Sequence, residues 1–416
     1  HIYWGMHIEG VTYSCVFSYA LNPGVYSAID KYDVAGDRTP DGVPDILDEA
    51  MFGLEYLERL FLPNGTFLGS LVGTLQFVPP QDDTDGIIGN ADDRQLFSAE
   101  NHSFASPYEV MWVVAGFAKM ASIIKQTGYF SSREGEMAQY ATNIYNNYSR
   151  YFNFTDPSNP NSSANNPAIA ALLAAWELYQ YTSNLGYAEN ATTAATFIHD
   201  HYYSEAVRDE LGDWNRVVGF YCYWALQNAT VTARAMAQDV GLAKWKNTFV
   251  PMTNATDDYF GILQMPMDDL AHVGYFWNTI GLNSYYLTAA FAAFMTYNIT
   301  NRAYPQILAF GLRQLDWLFG ANPFGVCMVE GVGTYNPPIY HQRYAFIPGN
   351  PRGATPGAIV NGITEDNNGL PFINLNSAAG TYLQDHLSNA ASNEPWLPHN
   401  VHFQYAMSAL YACVLR

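Results

Sequence analysis

Two groups of polar residues in the C-terminal third of the chain have the types and spacing needed for chemistry. The first is His341-Gln342-Arg343, which follows Asn336-Pro337-Pro338. Alternate residues of an extended segment project to the same side, so an imidazole N–H and a guanidinium could bind the hydroxyl groups of a ligand together. A His-x-Arg pair is also ordinary on a protein surface, and the spacing alone leaves both interpretations open.

The second group consists of two carboxylates, Asp385 and Glu394, and the stretch Pro395 to Asn400 that follows the glutamate. A glutamate beside Pro, Trp and Leu loses contact with water, which raises the pKa of its carboxyl group and suits it to donating a proton near neutral pH. A carboxylate before proline is also common at a helix end or in a turn. The spacing does not decide between the two interpretations.

Helices are the elements that must position these residues. Apolar side chains recur at three- and four-residue spacing from Val43 to Leu60, which predicts an amphipathic helix. Ser106 and Glu109 have the spacing of a capping box and predict a second helix that runs to about Lys125. Further helices are predicted near 134–152, 167–183, 190–206, 217–227, 232–245, 279–297 and 303–319.

The predicted fold is all-α, because strand signals are sparse and the helices are paired across short polar loops. Such pairs form antiparallel hairpins, and about six hairpins can close into a toroid whose inner helices are apolar on nearly all sides. The Ala-rich stretches 168–175 and 288–293 suit that inner ring. The segment 320–380 is instead rich in Gly, Pro and Asn, and we expect its loops to form the rim of a binding cleft.

The composition excludes several classes of protein. Acidic residues outnumber basic ones by 38 to 18, and the net charge of −20 makes a nucleic acid or an anionic membrane surface an unfavourable partner. No apolar run reaches the roughly 18 residues of a membrane span. Aromatic residues make up 15% of the chain, which suits a large core and a ring-lined cleft for sugars. No linker divides the chain, so residues 1–416 are predicted to form a single domain.

The cysteines and the glycosylation sequons indicate the cellular compartment of the protein. The four cysteines stand far apart and match no zinc spacing, so they are either buried free thiols or paired in one or two disulfides. The N-x-[ST] sequons, together with the acidic and lysine-poor composition, predict a secreted glycoprotein, and a tyrosine-rich exterior allows self-association. The sequons begin at Asn64, Asn101, Asn147, Asn153, Asn161, Asn190, Asn228, Asn254 and Asn298.

Several motifs together resemble glycoside hydrolase family 9, the inverting cellulases. The stretch from Gly42 to Ala50 is similar to that family's Gly-x-Pro-Asp-x-Leu-Asp-Glu helix. The stretch from Leu318 to Arg343 resembles its histidine signature with a small change in length. Asp385, with Glu394 nine residues later and Asn400 six residues after that, resembles its Asp…Glu signature, and Val273 to Phe291 resembles its aromatic helix, with Trp277 in the tryptophan place.

The resemblance implies a six-hairpin α/α barrel with an open cleft for a β-1,4-linked glucan and no cofactor. Glu394 would be the general acid, and Asp385 and His341 would assist it. Substrate-binding residues would be Arg343, Trp277, His399 and Trp396. Some members of the family hold structural calcium, for which the acidic pairs Asp92-Asp93, Asp257-Asp258 and Asp268-Asp269 are candidates, but solvated turns are the favoured explanation of such pairs because no EF-hand spacing is present.

The chain also departs from the family pattern. The family's general base lies in a DAGD motif, and His1 to Met6 resemble the residues immediately C-terminal to that motif, so the base is expected just ahead of His1. Asp33-Val34-Ala35-Gly36-Asp37 has one residue too many and is not expected to replace it. His399 stands where the family usually has Tyr, and Trp396 where it has a small residue. The alternative to a hydrolase is a glycan-binding or extracellular structural glycoprotein on the same scaffold.

Overall fold

Helices dominate the computed structural model, which describes residues 7–62, 65–67, 107–149, 167–204, 211–253, 260–263, 265–266, 273–274, 283–346, 348–365, 370–376 and 387–415. The longer helices in these ranges are α1 (Tyr13–Leu21), α2 (Asp45–Glu58), α3 (Pro107–Thr127), α4 (Glu134–Tyr148), α5 (Pro167–Thr182), α6 (Leu185–Ser204), α7 (Leu211–Asn228), α8 (Val231–Lys244), α9 (Asn283–Ile299), α10 (Pro305–Leu318), α11 (Leu387–Asn393) and α12 (Leu397–Leu410).

Shorter elements complete the described part of the chain. Single helical turns span Pro23–Tyr26 and Val250–Thr253, and 3₁₀ turns span Ser131–Arg133 and Arg343–Phe346. Stretches of π-helix span His7–Thr12, Trp245–Phe249 and Tyr411–Leu415. Two antiparallel strand pairs occur, β1 (Met265–Pro266) with β2 (Val273–Gly274), and β3 (Thr364–Glu365) with β4 (Pro371–Phe372); Met265 faces Gly274 and Thr364 faces Phe372.

The helices form two concentric layers. Helices α1, α3, α5, α7, α9 and α12 pack in that order, and α12 returns to contact α1, so the inner ring is closed. Helices α2, α4, α6, α8 and α10 lie outside it, each against the preceding inner helix. The all-α, (α/α)6 barrel prediction is confirmed.

Burial patterns explain which helices are inside. Helix α9 buries every residue from Tyr286 to Met295, whereas α10 buries only one stripe, which includes Ile307, Phe310 and Leu315. A helix that is apolar all round needs neighbours on every side, and an amphipathic one needs a single apolar partner. The inner and outer positions follow from these two patterns.

Aromatic rings fill the axis of the barrel. Phe17, Trp112, Phe220, Phe291 and Tyr405 come from five different inner helices, and all are buried. The Phe220 ring centroid lies 5.2 Å from Trp112, 5.1 Å from Phe291 and 5.0 Å from Tyr405, mostly edge to face. Such geometry is favourable for aromatic pairs. The barrel is therefore a packed core and not a channel.

One buried ion pair crosses this core. Lys119 Nζ of α3 lies 3.0 Å from Glu177 Oε2 of α5, and the Tyr13 hydroxyl of α1 donates to Glu177 Oε1 at 3.3 Å. Burial disfavours the ammonium form of Lys119, but the Glu177 carboxylate and the Tyr223 hydroxyl outweigh it and raise the lysine pKa. The charged groups thus satisfy one another and join three inner helices.

The two ends of the barrel differ in the length of their connections. Each inner helix from α3 to α9 is joined to the outer helix after it by two to six residues, as at 183–184 and 229–230. Ser183 and Ala229 adopt positive φ there, and each N–H donates to the carbonyl four residues earlier, which stops the helix. The described parts of the segment 319–396, which returns from α10 to α12, therefore lie at the opposite end, where the inner helices begin.

The four cysteines lie within the described residues, and their state decides between free thiols and disulfides. Cys15, Cys222, Cys327 and Cys413 are all buried and carry free thiols. The disulfide interpretation is therefore wrong. Within the described residues no helix is both long enough and apolar enough to cross a bilayer.

Candidate active site

Glu394 lies in the short link between α11 and α12, with its backbone held on both sides. Its carbonyl accepts a hydrogen bond from Asn361 N at 2.9 Å, Pro395 forms a β-bridge with Val360, and Trp396 N donates to Ile359 O at 3.3 Å. The side chain of Glu394 is partly exposed. The link therefore holds Glu394 on a fixed backbone.

The segment 358–361, which binds the backbone of residues 394–396, is itself paired with residues 328–330. Val329 bridges Ile359, and Glu330 N donates to Ala358 O at 2.9 Å. Asn283, the first residue of α9, donates from its side chain to Val360 O at 2.8 Å. The layer formed by 328–330, 358–361 and 394–396 thus rests on the start of an inner helix, at the end of the barrel that carries the long segments.

Asn393 joins this layer to the segment that contains His341. His341 N donates to Asn393 O at 3.0 Å, and Asn393 Nδ2 donates to the carbonyls of Ile339 at 2.9 Å and Asn374 at 2.8 Å. Asn393 is fully buried. A contact between residues far apart in the chain therefore binds the backbone of His341 to Asn393, the neighbour of Glu394. Asn393 itself was not foreseen.

The predicted site residues differ in how much the structure says about them. His341 is largely buried, and Arg343 opens a 3₁₀ turn two residues later, although its side chain is outside the described part. Asp385 and Trp277 lie outside the described residues. Of the predicted set, Glu394, His341, Trp396 and His399 are described with their side chains.

His399 is buried, whereas the family resemblance implies that it binds substrate. Its side chain is 1% exposed and its Nε2 lies 2.8 Å from Asn361 Oδ1. Asn361 Nδ2 already donates to Ala390 O, so Asn361 Oδ1 is the acceptor and His399 Nε2 carries the proton. Burial lowers the pKa of His399 to about 3, so the ring is neutral. The histidine is stacked behind the partly exposed Trp396, with ring centroids 6.0 Å apart, and its burial contradicts direct contact with a substrate.

A second group of side chains, also not foreseen, holds the loop ahead of His341. Arg352 donates from Nε to Pro338 O at 3.0 Å and from Nη2 to Pro337 O at 2.9 Å. It also forms a bidentate pair with Glu330, at 3.3 and 3.2 Å, and the Tyr340 hydroxyl donates to the same carboxylate. Burial, and then the Glu330 carboxylate, raise the pKa of Tyr340. These contacts among Arg352, Glu330 and Tyr340 fix the position of Tyr340, the residue that precedes His341.

One family model matches nearly the whole chain. The model of "Glycosyl hydrolase family 9" matches residues 11–407. The chain belongs to glycosyl hydrolase family 9. The family resemblance stated from the motifs is thereby confirmed, and no curated protein sequence matches the chain.

Solved structures of family 9 enzymes share the fold. Cellulase Cel9M of C. cellulolyticum is 15% identical with a TM-score of 0.65, and the match covers 98% of this chain and 84% of that one. The endoglucanase of the termite Nasutitermes takasagoensis is 16% identical with a TM-score of 0.64, covering 98% and 85%. AaCel9A in complex with cellobiose-like isofagomine is 17% identical with a TM-score of 0.64, covering 98% and 72%.

The Asp33–Asp37 stretch of this family 9 chain lies in a local turn. Asp33 Oδ1 accepts from Asp37 N at 2.9 Å and Asp33 O accepts from Gly36 N at 2.9 Å, so the Asp33–Asp37 stretch is a closed, exposed turn. Among the described residues no three His, Cys, Asp or Glu side chains lie close enough to hold a metal ion. The acidic pairs named as calcium candidates are outside those residues.

Proposed function

We propose that this chain hydrolyses β-1,4-glucosidic bonds of cellulose or a related β-glucan with inversion, and that Glu394 is its general acid. The observation that carries the proposal is the placement of a partly exposed Glu394 next to Asn393, whose carbonyl binds His341 N. Membership in family 9 and the fold shared with endoglucanases support it. The cellobiose-like ligand of AaCel9A supports a β-glucan substrate.

The proposed chemistry needs two carboxyl groups on opposite faces of the sugar ring. Glu394 would protonate the departing glycosidic oxygen, and a base about 6.5–9.5 Å away would activate water. In the family pattern a DAGD motif supplies that base. Asp385 and Arg343 would hold the sugar and the charge around the cleaved bond, and the exposed edge of Trp396 would contact a ring face.

Replacement of the acid tests the assignment. Glu394→Gln keeps the shape of the side chain and removes the proton, so hydrolysis of soluble cellulose should fall about 10²–10⁴-fold. A cellobioside with a dinitrophenolate leaving group needs no protonation, so its hydrolysis should fall far less. The matched control is Glu189→Gln, at an exposed glutamate of the outer helix α6. Equal losses on both substrates would remove Glu394 from the role of acid.

The stereochemical outcome tests the mechanism separately. Proton NMR of the first products formed by the full-length protein should show the α anomer before mutarotation. Initial release of the β anomer would mean retention, and the proposed pair of acid and base would then be wrong.

Secretion with N-linked glycans is the remaining part of the proposal. Asn228 is partly exposed at the turn between α7 and α8, and Asn147 and Asn190 lie exposed on outer helices. Treatment of the protein from its own cells with a peptide N-glycosidase should reduce the intact mass by whole glycans. An unchanged mass equal to that of the bare chain would contradict this.

A further inference from the structure

A pocket of about 540 Å³ opens on the surface beside the segment that leads to His341. Its lining includes Tyr335, Pro338, Ile339, Pro351 and Arg352. Its volume lies within the usual range for small-molecule sites, roughly 300–1,000 Å³. The contacts described above for Glu394 and His341 do not use this space.

The walls of the pocket offer the two kinds of group that bind sugars. The Tyr335 side chain is 46% exposed, while its carbonyl accepts from Cys327 N at 2.8 Å, so the ring is presented from a fixed backbone. Arg352 has five N–H donors, and four of them bind Glu330, Pro337 and Pro338. The fifth, on Nη1, has no partner among the described residues. An exposed aromatic ring and a guanidinium group held in place match the apolar face and the hydroxyl edge of a pyranose.

The pocket and the candidate acid share one piece of backbone. Ile339, in the pocket wall, is two residues from His341, so their Cα atoms are at most about 7 Å apart. The Ile339 carbonyl accepts from Asn393 Nδ2, next to Glu394. The backbone segment that lines the pocket is therefore the same segment that is bound by the neighbour of Glu394.

We propose that this pocket is an accessory subsite that binds a glucosyl unit of the substrate chain away from the cleaved bond, by contact with the Tyr335 ring and a hydrogen bond from Arg352. The inference rests on the proposed β-glucan substrate. It predicts that affinity rises with the length of the oligosaccharide and that the rise depends on Tyr335.

Calorimetry on the Glu394→Gln protein, which leaves the substrate uncut, tests the subsite. Cellobiose, cellotetraose and cellohexaose are titrated into that protein and into the same protein with Tyr335→Ala. The ratio of the cellohexaose to the cellobiose dissociation constant should rise about three- to tenfold on Tyr335→Ala, the worth of one aromatic contact. Tyr335→Phe, which keeps the ring, should leave the ratio within about twofold of the parent value.

The matched control is Tyr344→Ala, which removes an equally exposed tyrosine from the 3₁₀ turn after His341 and outside the pocket lining. It should not change the ratio. An unchanged ratio in Tyr335→Ala, or an equal change in Tyr344→Ala, overturns the subsite and leaves the proposed function intact. If no oligosaccharide binds and the protein with an unchanged Glu394 shows no hydrolysis, both the subsite and the proposed function are overturned.

Discussion

Lys244 is a buried cation that should lower the stability of the fold at neutral and acidic pH. It ends α8, its side chain is 1% exposed, and its Nζ has no hydrogen-bond partner among the described residues. The ring of Phe249 lies 5.8 Å below the nitrogen. Burial lowers the pKa of Lys244 from its ordinary 10.5 to about 7.

The sign of the effect follows from proton binding in the two states. Between about pH 7 and 10.5 the unfolded chain keeps the proton while the folded chain has lost it, so stability rises with pH across that window. Below pH 7 both states are charged and the penalty is complete, about 5 kcal/mol from the two pKa values. At pH 9 about 2 kcal/mol of it remains.

Lys244→Met removes the charge and keeps the length of the side chain. The variant should be more stable than the parent by up to about 5 kcal/mol at pH 6, and this gain should shrink by about 3 kcal/mol at pH 9. Urea unfolding of both proteins at the two pH values measures the difference. Lys246→Met, at an exposed lysine two residues away, is the matched control and should show neither effect. A gain that does not vary with pH, or a loss of stability, would refute the reasoning.

Three further predictions concern single positions. Burial, and then Asp41 and other nearby carboxylates, raise the pKa of Asp48 to about 7, so wild-type stability falls as pH rises from about 4 to 7, and Asp48→Asn should raise the melting temperature above pH 7 but not below pH 4. Asn393→Ala leaves buried carbonyls unpaired and should cost about 1–3 kcal/mol in urea unfolding together with a loss of activity, whereas loss of stability alone would contradict its role in placing His341. A Cβ at Gly219 would overlap the Phe291 ring, so Gly219→Ala should cost about 1–3 kcal/mol by the same assay, and unchanged stability would show that α7 and α9 can move apart.

Much of the fold could be predicted from the helical spacing of apolar residues. Where a helix was missed, the reason is physical. The helix predicted at 279–297 is observed as Asn283–Ile299, and the one at 303–319 as Pro305–Leu318. Helix α12 was not predicted, because its first turn reads Leu-Pro-His-Asn and its buried polar side chains give no amphipathic stripe. His399 is buried there only because Asn361, from a distant loop, accepts its N–H.

The site was predictable only in part, for a related reason. Glu394 and His341 could be named because they belong to recognisable motifs, but the residues that hold them together carry no periodic signal. Asn393 binds Ile339, 54 positions away, and Arg352 binds Glu330, 22 positions away. A buried asparagine and a surface arginine have many possible partners, and only the folded backbone selects among them.

The ring-filled axis limits how a polymer can meet this molecule. Because Phe220 and its aromatic neighbours close the middle of the barrel, a long chain cannot be threaded from one end to the other. Under the proposed function, a glucan chain would instead lie across one end of the barrel. Under that proposal, an internal stretch of the glucan would bind without a free terminus having to enter the protein.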